Sequence, residues 1–327
     1  MKLTPPDILT GSTVNVCVIY EVMKKALFDK TPNDLLEIAT RYIDTNELPE
    51  SIDNKYTYFG NKMEKMILEE AALTLGLTNI TLDHDKPFYH SSLPLAVSLD
   101  GSAVADKLRV RSNFENVFVM SDDKEEIVLD GFGVIEAKNT KVAPEIKPEL
   151  HRGPIQMQAQ MMCTNAKWGA LAVFYQGCLH RTFVFEPHAG TQQLIAKCAV
   201  DFDKRVQNYR KTGTIDWYDA ITTGDYAKIY PNALEESIEL GDDANSVIDR
   251  IEEIKSDIKN QQSELEKLDM KLKDMLGSNK SGFTNMYKLS WGMRNYKAQP
   301  EKITPAKEAY SVRQKSVTIK KILEERG

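Results

Sequence analysis

Apolar residues recur along the chain with two periods, and the change from one to the other divides it. Residues 14 to 47 carry apolar positions at helical spacing (Val18, Val22, Leu27, then Leu35, Leu36, Ile38, Ala39, Tyr42 and Ile43). The start signal Thr31-Pro32-Asn33 interrupts them, so the spacing predicts two helices. Gly60 then precedes NKMEKMILEEAALTLG, where Met63, Met66, Ile67, Ala71 and Leu75 fall on one face and Gly76 supplies a stop. After this helix the period shortens. ITLD, PLAVSLDG, NVFVMS, EIVLD and GVIEAKN are β-rich runs bounded by Asp, Asn, Gly or Pro, and they read as strands of one sheet. From Pro154 the run IQMQAQMMCTNA is helical again, GALAVFYQG and HRTFVFEP read as two strands joined through Gly177, and residues 190 to 211 form a further amphipathic helix. The expected fold class is α/β, a mixed central sheet flanked by helices.

From Val247 the pattern becomes strict. Val247, Ile251, Ile254, Ile258, Gln261, Leu265, Leu268, Leu272 and Met275 alternate steps of four and three, a heptad seam that ends at Gly277. Such a stripe must pack against a partner helix or against the rest of the chain, and the polar Gln261 within it could fix register. The domain expectation is therefore 1–232 for the α/β part, 233–277 for the heptad helix, and 278–327 for a terminal segment.

That terminal segment changes how the charge is read. The net charge of −6 speaks against a polyanionic partner. Residues 278–327, however, hold 11 Lys and Arg against four Glu, or +7, which leaves 31 basic and 44 acidic side chains, or −13, in the first 277 residues. Phe283, Tyr287, Trp291, Tyr296 and Tyr310 stand among these lysines. The segment reads either as a nucleic-acid surface, with lysines on phosphates and rings on unpaired bases, or as a small subdomain with a solvated basic face.

Hydrophobic residues at 42 % and charged residues at 28 % are ordinary globular usage. No apolar run approaches the roughly 20 residues of a membrane span, and the N-terminus has no export signal, so a cytoplasmic location is expected. Cys17, Cys163, Cys178 and Cys198 lie far apart and read as buried reduced thiols; the five histidines form no zinc or nucleophile spacing. There is no GxxxxGK[ST] phosphate loop.

The candidate chemistry lies in three short segments: GNKME at 60–64, SLDG at 98–101 and IEAK at 135–138. Glu136 and Lys138 are two apart on a strand and so share one face of the sheet. Asp100, at the end of the preceding strand with Gly101 easing its turn, can bring a second carboxylate, and Glu64 a third. Hard oxygen ligands suit Mg²⁺, which with a neighbouring lysine can activate water and neutralise a phosphodiester. Asp130-Gly131 offers a rival aspartate, but six residues to Glu136 leave little room for a turn and a return strand, so Asp100 is preferred.

In this order the motifs resemble the PD-(D/E)xK nucleases, and within them the lambda-exonuclease or YqaJ-like viral recombinase group. Members show a GxxxE helix, an SxDG turn, an ExK strand and a following helix with QxQ, here Gln158-Ala159-Gln160, over roughly residues 10 to 210. The resemblance implies a restriction-endonuclease-like core and a metal site for Mg²⁺, with Mn²⁺ as the alternative. Two ions would be held by Glu64, Asp100 and Glu136, and Lys138 would act on the attacking water. It also implies that Gln158 helps position substrate, with Gln160 beside it, and that Ser98 and Ser12 are candidates for contacting a DNA phosphate. Double-stranded DNA is the implied substrate, degraded 5′ to 3′ to leave a 3′ single strand. A phage or prophage source, a single-strand annealing protein as partner and a homo-oligomer are implied as well.

Two features depart from the family pattern. The stretch between Asp100 and Glu136 is long and holds the acidic run Asp122-Asp123-Lys124-Glu125-Glu126, which an inserted hairpin explains; Ile155 stands where an aromatic residue is expected. The rival readings are an endonuclease of the same fold, and a DNA-binding or assembly protein whose function lies in the heptad helix and basic tail. The dispersed cysteines disfavour the iron–sulfur relatives of the fold.

Overall fold

In the computed structural model the described residues are 4–49, 55–82, 84–121 and 123–293. The chain divides into two units, Met1–Ile229 and Tyr230–Gly327. The first begins with a short strand β1 (Leu9–Thr10), then helices α1 (Val14–Met23), α2 (Pro32–Thr45) and α3 (Lys55–Leu75). Thr31 starts α2, where the Asp34 carboxylate accepts its backbone N–H at 2.6 Å and Pro32 occupies the first turn. Gly60 lies inside α3, not before it, because the helix starts at Lys55, six residues earlier than the periodicity suggested.

Strands β2 (Ile80–Leu82), β3 (Phe88–Tyr89), β4 (Leu95–Val97), β5 (Gly101–Arg111), β6 (Val117–Val119) and β7 (Glu126–Thr140) follow. They are succeeded by α4 (Pro154–Thr164), β8 (Trp168–Tyr175), β9 (Leu179–Phe185), α5 (Ala189–Thr212) and α6 (Thr223–Ile229). The principal sheet has the order β2-β5-β7-β8-β9-β6, with β7–β8 and β6–β9 parallel and the other pairs antiparallel. Two expectations are corrected here. EIVLD and GVIEAKN are one strand, β7, because pairing with β5 runs from Arg111↔Glu126 to Gly101↔Ile135 across Gly131. PLAV does not belong to this sheet: β4 sits in a separate three-stranded sheet between β1 and β3. The long stretch between Asp100 and Glu136 is the β5–β7 hairpin, and its tip carries β6 to the opposite edge of the sheet.

Alternation along β7 builds both layers of the core. Val134 joins the cluster formed with α1, α2, α4 and α5, whereas Ile135 joins Ile67, Leu68, Ala71 and Leu75 of α3 on the other face. The sheet is thus covered on both sides, a mixed α/β core with helix layers flanking a mixed sheet. Ile155 is buried in the first cluster, so the missing aromatic is filled by an aliphatic core residue. All four cysteines are free, and Cys178 is exposed, against the expectation of burial.

The second unit holds α7 (Asp243–Leu276) and a hairpin of β10 (Ser281–Phe283) with β11 (Lys288–Ser290). Phe283, Tyr287 and Trp291 of the basic segment are exposed. Tyr296, Tyr310 and most of the basic side chains lie outside the described residues. Among the described residues no helix is long and apolar enough to cross a membrane.

Candidate active site

From Phe132 onward the even-numbered residues of β7 face the α4 side, so Glu136 and Lys138 follow Val134 there, as strand alternation requires. Glu136 is 1 % exposed, and both of its carboxylate oxygens are engaged. Oε1 accepts from Lys138 Nζ at 2.5 Å and from Gln156 Nε2 at 2.7 Å, and Oε2 accepts from Gln160 Nε2 at 2.6 Å. Gln156 Oε1 in turn accepts from Lys138 Nζ at 3.2 Å. Gln160 Nε2 also donates to the Ser98 carbonyl at 3.0 Å, which ties the segment leading to Asp100 onto α4.

Asp100 stands between β4 and β5, and its Oδ2 accepts the backbone N–H of Ala137 at 2.9 Å. This bond places its carboxylate beside the ExK strand. The rival Asp130 is exposed on β7 and is absent from the cleft lining. Glu64 projects from α3 into the same cleft, a cavity of about 1400 Å³ lined also by Ser12, Ser98, Asp100, Glu136, Lys138 and Gln156. β1 runs parallel to β4, and Gly11 donates to the Ala96 carbonyl at 3.0 Å, which carries Ser12 to the rim just before α1. There the Ser12 hydroxyl lies 3.0 Å from that of Thr10.

Two glycines set the position of α4. Gly153, at φ +134°, allows the sharp entry before Pro154, and a Cβ there would meet Leu171 at 2.5 Å. At Gly169 on β8 a Cβ would meet Met157 Sδ at 2.3 Å, so the helix rests directly on the strand. With α4 this close to the sheet, its inward glutamines reach Glu136.

Which glutamines these are corrects the sequence reading. Gln156 and Gln160 are one helical turn apart and share a face, while Gln158 projects roughly 200° away from Gln156. Gln158 instead accepts from the His188 backbone N–H at 2.8 Å and from Gln192 at 3.1 Å, and donates to the Glu186 carbonyl at 3.0 Å. It fastens α4 to the start of α5 and does not line the cleft. Gln156 is the residue that sequence reasoning missed, and the i,i+4 spacing to Gln160 was the signal that could have found it.

The electrostatics follow from three acids and one ammonium in one place. Burial pushes the Asp100 carboxyl up to about 8; the negative charges of Glu136 and Glu64 add to this, while Lys138 and the Ala137 N–H oppose it. For Lys138 burial works against the charged form, yet Glu136, Asp100 and Glu64 outweigh it and hold its pKa above the ordinary lysine value. Among the described residues no group of His, Cys, Asp and Glu is already gathered as a metal shell. Glu136 takes two hydrogen bonds on Oε1, from Lys138 and Gln156, and one on Oε2, from Gln160. The donor chemistry nevertheless fits a hard cation: three carboxylates, no thiol or imidazole, and an acid whose ionised form Lys138 only partly compensates.

No sequence-family model matches the chain, and no curated protein matches it in sequence. Similar solved structures include an alkaline exonuclease (LHK-Exo) from Laribacter hongkongensis, at 14 % identity over 64 % of this chain and 94 % of that one, with a TM-score of 0.41. The complex of LHK-Exo with dAMP is similar at 16 % identity over 64 % of this chain and 95 % of that one, again with a TM-score of 0.41. A phage-related exonuclease from Haemophilus somnus 129PT is similar at 10 % identity over 63 % of this chain and 96 % of that one, with a TM-score of 0.40. These are likenesses of backbone, and the chemistry of the cleft stands on its own residues.

Proposed function

We propose that the first unit is a metal-dependent exonuclease that hydrolyses double-stranded DNA from its ends. The observation that carries this reading is the convergence of Glu64, Asp100, Glu136 and Lys138 on one cleft, with Asp100 tied to the backbone of the ExK strand. Glu64, Asp100 and Glu136 would hold Mg²⁺ or Mn²⁺, as one ion or two. A bound ion supplies charge neutralisation on the phosphate and an activated water.

The chain's own residues supply the rest. Lys138, held on Glu136 and Gln156, keeps a positive charge at the cleft wall where it can orient the attacking water and stabilise the charge that develops on the phosphate. Gln156 and Gln160 hold the Glu136 carboxylate in one orientation, as partners of metal-binding carboxylates do. Ser12 and Ser98 on the rim have the hydroxyls to take a DNA phosphate oxygen. The 5′ to 3′ polarity, the 3′ single-stranded product, the phage source and a single-strand annealing partner rest on the motif resemblance alone.

The test uses linear duplex labelled separately at its 5′ and 3′ ends, beside a covalently closed circle, with Mg²⁺ or EDTA. Mg²⁺-dependent loss of the 5′ label with the circle intact is expected. Cleavage of the circle would make the enzyme an endonuclease, and no metal-dependent product from either DNA would leave a binding or assembly protein.

A further inference from the structure

Among the described residues of its unit, helix α7 leaves its apolar seam exposed. Within the second unit the seam residues range from 37 % exposed at Ile251 to 80 % at Met275, while Leu276, off the seam, is buried beside Gly282 of the terminal hairpin. The helix has 34 residues, and its seam from Val247 to Met275 runs about 42 Å, an apolar stripe that the described residues of its unit leave exposed. The charges beside the stripe specify the partner.

We infer that α7 pairs antiparallel with α7 of a second copy of this chain. Ile251, Ile258, Leu265 and Leu272 occupy heptad position a, and Ile254, Gln261, Leu268 and Met275 position d. In a parallel, in-register pair the flanking g residue of one helix meets the e residue five positions on in the other. Arg250 would then face Lys255, and Glu264 would face Asp269, both like-charged. Reversing one helix so that Ile258 lies opposite Leu268, and Ile254 opposite Leu272, changes every flanking contact. Asp257 then meets Lys271 of the second copy and Lys255 meets Asp269, each twice by two-fold symmetry, with one like contact left where Glu264 meets its own copy on the axis. Sliding this pair by a heptad in one direction sets Arg250 against Lys271 and Asp257 against Glu264. Sliding it the other way leaves Ile251 and Ile254 without partners.

Within the single helix, Lys255 pairs with Glu252 at 2.7 Å and Asp269 with Lys273 at 2.5 Å. These exposed pairs are worth little, so exchanging them across the interface costs little. The apolar seam supplies the attraction, and the flanking charges choose direction and register. This inference stands apart from the nuclease reading, since none of its residues lines the cleft.

The test is sedimentation velocity of the full chain over a concentration series for wild type, Asp257→Lys, Lys271→Asp and the double variant. Wild type is expected to dimerise. Each single change sets like charges together at two places and weakens the dimer by about tenfold, and the double variant recovers it because the pair is merely inverted. In a parallel pair Asp257 would face Gln262 and Lys271 would face Leu276, so the single changes would be nearly silent. A wild type that stays monomeric, an assembly that the single changes do not move, or a double variant as weak as the singles would each overturn the inference. So would a monomer whose melting temperature falls with Ile254→Asp, because the seam would then be covered by its own chain.

Discussion

The face of β7 that looks toward α4 and the seam of α7 break the usual partition of side chains in opposite senses. On β7 a carboxylate, Glu136, is 1 % exposed; on α7 isoleucines and leucines are left exposed by the described residues of their unit. The first departure is answered from within, because Lys138, Gln156 and Gln160 occupy both oxygens of the buried acid. For the second, the described residues of its unit offer no cover. A buried, fully bonded charge marks a place where the fold holds chemistry in position, whereas an exposed apolar stripe marks a place where the fold is completed from outside. The two regions therefore respond to different perturbations.

The sharpest way to separate site from scaffold on the β7 side is to change its two kinds of glutamine. Gln156→Ala removes a partner of both Glu136 and Lys138, and it is expected to lower Mg²⁺-dependent DNA hydrolysis by roughly 10- to 100-fold with little change in melting temperature. Gln158→Ala strips a buried acceptor from the His188 N–H and is expected to cost about 1–3 kcal/mol of stability, with activity per folded molecule retained. Rate and thermal unfolding measured on the same preparations check both. Equal rate losses would place Gln158 in the site after all.

A smaller effect concerns the crowding of acids. The Asp100 carboxyl, raised from 3.8 to about 8, holds its proton more tightly in the folded than in the unfolded chain. In EDTA its contribution to stability is therefore fully present below about pH 4 and is lost as pH rises toward about 8. Asp100→Asn has no such group, so its melting temperature should rise relative to wild type across that window. Added Mg²⁺ should stabilise wild type more at the upper end than at the lower, and parallel pH profiles of the two proteins would contradict this electrostatic picture. The smallest effect belongs to α7. Gln261→Leu replaces the one polar residue of the seam, opposite Leu265 of a second copy, and should tighten the dimer a few-fold in sedimentation.

Much of this was legible before any fold was in hand, and the misses have physical causes. The period of two along Val134, Glu136 and Lys138 was enough to bring the acid and the ammonium onto one face. The family resemblance misled at α4, where its QxQ motif puts Gln158 beside Gln160 although residues two apart on a helix point apart; the cleft side holds the i,i+4 pair Gln156 and Gln160. Gly131 reads as a boundary in sequence, yet Gly131 pairs with Ala105 and the β7 ladder continues through it. That β4 leaves the main sheet could not be read, because its neighbours β1 and β3 are two residues long and carry no periodicity of their own. Heptad spacing revealed the seam of α7, and the direction of its pairing emerges only once the flanking charges are compared in both orientations.

The most direct test of the central claim is the rate of nucleotide release from linear duplex DNA with Mg²⁺ by wild type and Lys138→Ala, each shown to be folded and to bind the DNA. The lysine at the cleft wall is expected to be worth at least about 100-fold in rate, with DNA binding largely kept and wild-type activity abolished by EDTA. Release by Lys138→Ala at the wild-type rate, or release by wild type undiminished in EDTA, would contradict the assignment of this cleft as the nuclease centre.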